Sequence, residues 1–259
     1  MRGDFGLSLE YAYKLREVGV RENDPEASMY SDFYVGQTYL LTNQNDSILY
    51  YLNSSLGQAD ALDNRRALAS VYNALGIYST GVEMNYRAGI EYFMKALEYA
   101  RDNPDSRHYI IVLSNLSMTY YMRNDPAGLQ YAREVYETGK KRADEYLVFG
   151  GAVVSAYMHY MLSENEQALR FIEETLPLTE KYKYESEVYS LYASILHAMG
   201  QDNQAEAYFA KALDHIETSV VTAAAMTYLN YASYLLDVGR YEQAVTVLDK
   251  GIKVSKENN

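Results

Sequence analysis

Seven short segments of this chain share one pattern at a nearly constant interval, and that periodicity constrains the fold more than any other feature. Each places a small or aliphatic residue, an apolar residue four positions on and a small or apolar residue three further, behind a polar or glycine-bearing turn. The segments begin at Ser8, Ile48, Gly89, Gly128, Ala168, Ala205 and Ala244, with spacings of 40, 41, 39, 40, 37 and 39 residues. Positions i, i+4 and i+7 form one face of a helix. A recurring unit of this length cannot bury such a face alone, so consecutive copies must stack on one another.

Upstream of the last six segments lies a second amphipathic stretch. Its centres are Val35-Gly36, Leu75-Gly76, Leu116-Ser117, Ser155-Ala156, Tyr192-Ala193 and Tyr231-Ala232. A small residue recurring at one place means that two helices approach closely there, because a dense interior has no room for a larger side chain. The unit is therefore a helix–turn–helix pair. No alternating, β-branched stretch is bounded by turns, so no sheet is expected.

The punctuation agrees with this division. Pro25, Pro104, Pro126 and Pro177 all fall at or next to expected helix ends. Asp125-Pro126 reads as an N-cap followed by proline in the first helical position, and Ser163 with Glu166 has capping-box spacing. Gly200 and Gly239 stand where a first helix must stop in a left-handed turn.

Leu75-Gly76 flanked by Tyr72 and Tyr78, followed by Gly89, Phe93 and Ala96, resembles the tetratricopeptide repeat. So does the last copy, Gly239, Tyr241 and Ala244. The resemblance implies an all-α, right-handed α-solenoid of six full repeats behind a leading half. The half repeat is expected at 1–24, and the full repeats at 25–65, 66–106, 107–146, 147–183, 184–222 and 223–259. The interval of about 39 exceeds the family's usual ~34, as in the long-repeat members that serve as sensor regions of bacterial regulators, and it also touches the HEAT and armadillo range of ~40–47. The Gly/Ala and Phe placement, and first helices without an internal proline, favour the tetratricopeptide reading. Gly3-Asp4-Phe5 leading into Ser8, Ala12 and Leu15 matches the turn and second helix of a repeat whose first helix is missing, which suggests a fragment of a longer protein; a lone capping helix is the alternative.

In such a solenoid the first helices line a concave groove, and function resides in its side chains. With the small residue as the eighth position of each first helix, the groove candidates are Tyr30, Phe33, Gln37, Asn73, Ile77, Ser114, Asn115, Met118, Tyr121, Val153, Tyr157, Tyr160, Ser190, Ser194, His197, Asn230 and Ser233, with Ser70 beside them. No Lys or Arg occupies these positions, and the charged residues near them are Glu187 and Asp237. Family members that clamp acidic tails use Lys and Arg there, so the expected ligand is a neutral or basic peptide or protein segment. It would be held by backbone hydrogen bonds and ring packing.

Composition closes other doors. The 259 residues hold 35 Asp+Glu against 23 Lys+Arg, a net charge of −12, which argues against direct nucleic-acid contact. With no Cys and 4 His, none of them paired at i+3 or i+4, no metal site is expected. His159 reads as a satisfied core histidine. Phosphate loops, nucleophile elbows and kinase signatures are missing, so neither enzymatic activity nor a cofactor is expected. Asn43–Asp46 and Asp102–Asp105 lack the central Gly and terminal Glu of a calcium loop and read as turns. Glu173-Glu174 and Lys140-Lys141 read as solvated faces. The longest weakly polar stretch, 148–158, is too short to span a bilayer. The compartment is left open by the sequence.

The functional expectation is a non-enzymatic binding module, the ligand-sensing or interaction region of a larger signalling or transcriptional regulator. The alternative is a self-assembly element in which the helices Phe5–Val18 and Tyr241–Val254 are buried across a homodimer or against flanking repeats. Most of the 29 Tyr are assigned to packing between helices, with Tyr30, Tyr121, Tyr157 and Tyr160 in the groove. The negative charge is assigned mainly to the outer faces.

Overall fold

The structure, a computed structural model, describes residues 5–42, 47–102, 106–218 and 221–257. Among these every regular element is helical. The chain forms two compact units, Met1–Arg123 and Asn124–Asn259.

The first unit holds α1 (Phe5–Glu22), α2 (Pro25–Leu41), α3 (Ile48–Ala61), α4 (Arg65–Gly81), α5 (Tyr86–Ala100) and α6 (Arg107–Met122). Four of these helices start where a short polar side chain can satisfy the free N–H groups of a first turn. Asp24 accepts from the Glu26 and Ala27 amides ahead of Pro25, and Asn64, Asn85 and Ser106 do the same for α4, α5 and α6. The recurring stripes are buried: Ile48/Leu52/Ser55 on α3 and Gly89/Phe93/Ala96 on α5. They meet the small centres of the preceding helices, where a Cβ on Gly36 would lie 2.9 Å from Leu52 and one on Gly76 2.5 Å from the Phe93 ring.

The second unit holds α7 (Leu129–Arg142), α8 (Glu145–Met161), α9 (Asn165–Thr175), α10 (Thr179–Tyr182), α11 (Glu185–Ala198), α12 (Asp202–Asp214), α13 (Val221–Asp237) and α14 (Tyr241–Glu257). Asp125 accepts from the Ala127 amide, and Pro126 opens a 3-10 turn leading into α7. Its core gathers Phe149, Ile172, Val188, Ile195, Leu196, Phe209 and Leu235. Gly200 and Gly239 take φ of 76° and 77°, the left-handed turn that glycine enters without steric cost. Seven other turns reach the same region with Asn23, Asp63, Met84, Asn124, Ala143, Ser163 and Lys183.

Two local expectations are corrected. Ser163 does not cap α9: its φ is 58°, the N-cap is Glu164, and no side chain caps that helix. The Glu164 carboxylate turns instead to His159 Nδ1 at 2.5 Å, a stronger draw than an exposed amide. Glu173 and Glu174 are not merely solvated either. Glu174 accepts from Tyr136 at 2.7 Å and from Lys140, and Glu173 from Tyr192 at 3.3 Å. The turn at 43–46, Pro104 with the remainder of the 102–105 turn, and Gly3-Asp4 lie outside the described residues.

Candidate functional site

In the second unit the first helices α8, α11 and α13 are linked by several pairs of polar side chains. On α8, Tyr160 is half-buried and bonds toward Ser194 of α11; burial pushes its phenol up, and the Asp237 carboxylate adds to that shift. His197, one helical turn beyond Ser194, is 24% exposed and lies between two carboxylates. Its Nδ1 is 2.6 Å from Asp202 and its Nε2 3.4 Å from Asp237 at the end of α13. The imidazole also meets the edge of Tyr234 at 5.0 Å between ring centres. Further along, Asn230 of α13 donates to Ser190 Oγ at 3.3 Å, and Ser186 pairs with Thr227 at 2.9 Å. Tyr157 donates to Asn124 Oδ1 at 2.7 Å.

Of the expected residues in this unit, Tyr157, Tyr160, His197 and Asn230 are half-buried and Ser233 is exposed. Val153, Ser190 and Ser194 are buried at 4%, 1% and 7%. Ser190 and Ser194 bond to neighbouring first helices and Val153 lies in the core, so all three support the row rather than surfacing in it.

In the first unit the structure brings Asn73 and Asn115 together, the Asn115 amide donating to Asn73 Oδ1 at 2.9 Å. Nearer the start of both helices, one turn back on α4 and two on α6, Ser70 meets His108 Nε2 at 2.9 Å. Ser114, Met118 and Gln37 are half-buried, and Ile77 is exposed. Tyr30 is half-buried and stacks with Tyr34 at 6.2 Å. Phe33 lies in the core with Ile48, Leu52 and Val71, and Tyr121 is buried at 8%.

His159 is wholly buried, with both nitrogens partnered. Arg133 donates to Nε2 at 3.2 Å, so Nδ1 carries the proton and donates to Glu164; the ring stacks on Phe171. Among the described residues no group of His, Asp and Glu is placed to hold a metal ion, and no helix is long and apolar enough to cross a membrane. Two features are not marked by the sequence pattern. One is Asp32, buried on α2 and held by Ser54 at 2.6 Å, Gln58 at 2.8 Å and Arg16 at 3.8 Å. The other is a cluster of arginines at the first turns of α4 and α6, residues that precede the counted groove positions.

Comparison with known proteins places residues 184–257, the span of α11 to α14, in the tetratricopeptide repeat family model. No curated protein matches the sequence. Among solved structures, the chain is similar to NprR in complex with its cognate peptide NprX, with TM-score 0.74 and 16% identity over 97% of this chain and 74% of that one. It is similar to a Rap protein complexed with competence and sporulation factor, with TM-score 0.71 and 17% identity over 98% of this chain and 77% of that one. A third is a Signal Transduction ATPase with Numerous Domains with a tetratricopeptide repeat sensor, from Pyrococcus horikoshii. There the TM-score is 0.68 and the identity 17%, over 96% of this chain and 41% of that one. At these identities the likeness is one of fold.

Proposed function

We propose, from the premise that residues 184–257 are tetratricopeptide repeats and that the remaining helices fold in the same manner, that this chain is a non-enzymatic peptide-binding module. It serves as the ligand-sensing or interaction region of a larger regulatory protein. The observation that carries this reading is the polar and aromatic row across α8, α11 and α13, where Tyr157, Tyr160, His197 and Asn230 keep part of their surface in solvent. Amide and phenol groups held at such spacing suit an extended peptide, with hydrogen bonds to its backbone and rings against its side chains. Asp202 and Asp237 beside His197 favour a neutral or basic segment over an acidic one. One structural neighbour was solved with its cognate peptide and another with competence and sporulation factor, which supports the same reading.

The test is a peptide selected by display on the intact chain and titrated by fluorescence anisotropy. Tyr160→Ala and Asn230→Ala should each weaken binding about tenfold, equivalent to ~1.4 kcal/mol at each position. Unchanged affinity in both variants defeats the proposal. Exposed apolar side chains on α1, with Tyr11 at 62% and Val20 at 75%, support a second reading, self-association. Sedimentation showing a concentration-independent monomer defeats that one.

A further inference from the structure

We propose that a pocket in the first unit, enclosed by the first turns of α4 and α6 and the last turn of α5, binds a small ligand carrying an oxyanion, carboxylate or phosphate, on an apolar body. The cavity measures about 710 Å³, within the usual range for small-molecule sites. It is lined by Arg65, Arg66, Arg107 and His108. Ala69, Ala100 and Ile111 supply an apolar floor. The site lies wholly in the first unit, outside the peptide row of the second, and stands independently of the function proposed above.

Charge decides what such a pocket takes. Among the described residues the acidic one lining it is Asp102, and Arg65 Nε already donates to that carboxylate at 2.8 Å. The same guanidinium lies over the Tyr99 ring at 5.3 Å, which holds it at the wall. Arg66 and Arg107 have no carboxylate partner among the described residues. Among the described residues, three arginines thus line the pocket beside one carboxylate, a local positive excess in a chain whose net charge is −12. Guanidinium forks match the two oxygens of a carboxylate or phosphate, and the adjoining apolar floor selects for a ligand that has more than its charge to bury.

His108 provides a built-in reporter. Ser70 Oγ donates to the Arg66 carbonyl at 3.0 Å, so the bond with the imidazole runs from Nε2–H to Ser70. Burial and the neighbouring charge of Arg66 hold this histidine below its ordinary range. An anion seated between the arginines would offset the second influence and shift the ring resonances.

The experiment titrates phenyl phosphate, benzoate and inorganic phosphate into the full chain by calorimetry, and follows the His108 ring by NMR. The comparison is with the double variant Arg66→Gln/Arg107→Gln, two exposed positions whose replacement should leave the helical signal intact, and with Arg170→Gln as control. One-site, saturable binding of phenyl phosphate or benzoate is expected, together with a shift of the His108 signals. The affinity should fall about 100-fold in the double variant, tenfold for each charge-assisted hydrogen bond removed, and stay unchanged in the control. Tighter binding of phenyl phosphate marks the group as phosphate, and tighter binding of benzoate as carboxylate. The proposal is overturned by no saturable binding of any probe, by equal affinity in the double variant, or by inorganic phosphate binding as tightly as phenyl phosphate.

Discussion

Gly150 and Gly151 are neighbours in the middle of α8, yet alanine should act on them with opposite sign. A Cβ at Gly150 meets nothing within 4 Å. Replacing glycine inside a helix removes chain entropy from the unfolded state, so Gly150→Ala should stabilise the chain by about 0.5–1 kcal/mol. A Cβ at Gly151 would stand 2.6 Å from the Tyr136 backbone nitrogen and 2.8 Å from its Cα. A backbone cannot swing aside as a side-chain tip can, so α7 and α8 would have to separate, at the ~1–3 kcal/mol typical of overpacking. The propensity gain is the same at both positions and cancels in the comparison. The difference between the two variants, ~1–3 kcal/mol, therefore measures the close approach alone. Urea unfolding followed by circular dichroism reads it directly, and thermal melts should separate the variants by about 2–4 °C per kcal/mol. If both alanines raise stability equally, the backbone of α7 at Tyr136 does not constrain the packing of α8 at Gly151, and the close approach is refuted.

Three further outcomes follow from individual sites. Ser155 Oγ is buried without a hydrogen-bond partner among the described residues, so Ser155→Ala should raise stability by about 1 kcal/mol, the desolvation penalty of an unsatisfied hydroxyl; a loss in chemical denaturation would show that a partner exists. Ala143 ends α7 at φ 52°, a conformation costing a residue with a Cβ about 1–2 kcal/mol, and Ala143→Gly should recover part of that in the same assay, with no gain counting against the strain. The phenol of Tyr192 is pushed up to about 12 by burial and by the Glu173 carboxylate. A raised folded value means that the native state holds its proton longer than the unfolded chain, so this contribution is present below pH ~10 and is lost as pH climbs toward the folded value. Stability measured across that window should fall less steeply in Tyr192→Phe; an identical slope would assign the alkaline loss to other groups.

The fold was legible because its determinants are local and repeated. Gly36, Gly76, Ala193 and Ala232 all lie buried where the pattern put a small residue, and the stripes of α3, α5, α9 and α12 are buried at i, i+4 and i+7. The start of α9 was not legible, because the hydrogen bond that decides it comes from His159, five residues before Glu164 and packed out of solvent. Groove positions proved harder. Phe33, Tyr121, Val153, Ser190 and Ser194 share the register of half-buried or exposed candidates but are themselves buried, because one register position can meet solvent on one helix and a neighbouring helix on another. The arginine pocket was invisible for a different reason. Arg65, Arg107 and Tyr99 come from three helices, and no spacing rule within a single helix joins them.

Whether peptide is held on the first helices of the second unit can be read by photo-crosslinking. A selected peptide that carries a benzophenone group is irradiated on the intact chain, and the adducts are mapped by mass spectrometry. Adducts on α8, α11 and α13, around Tyr157, His197 and Asn230, and competed away by unlabelled peptide, are the predicted result. Competed adducts confined to α9, α12 and α14 would contradict it.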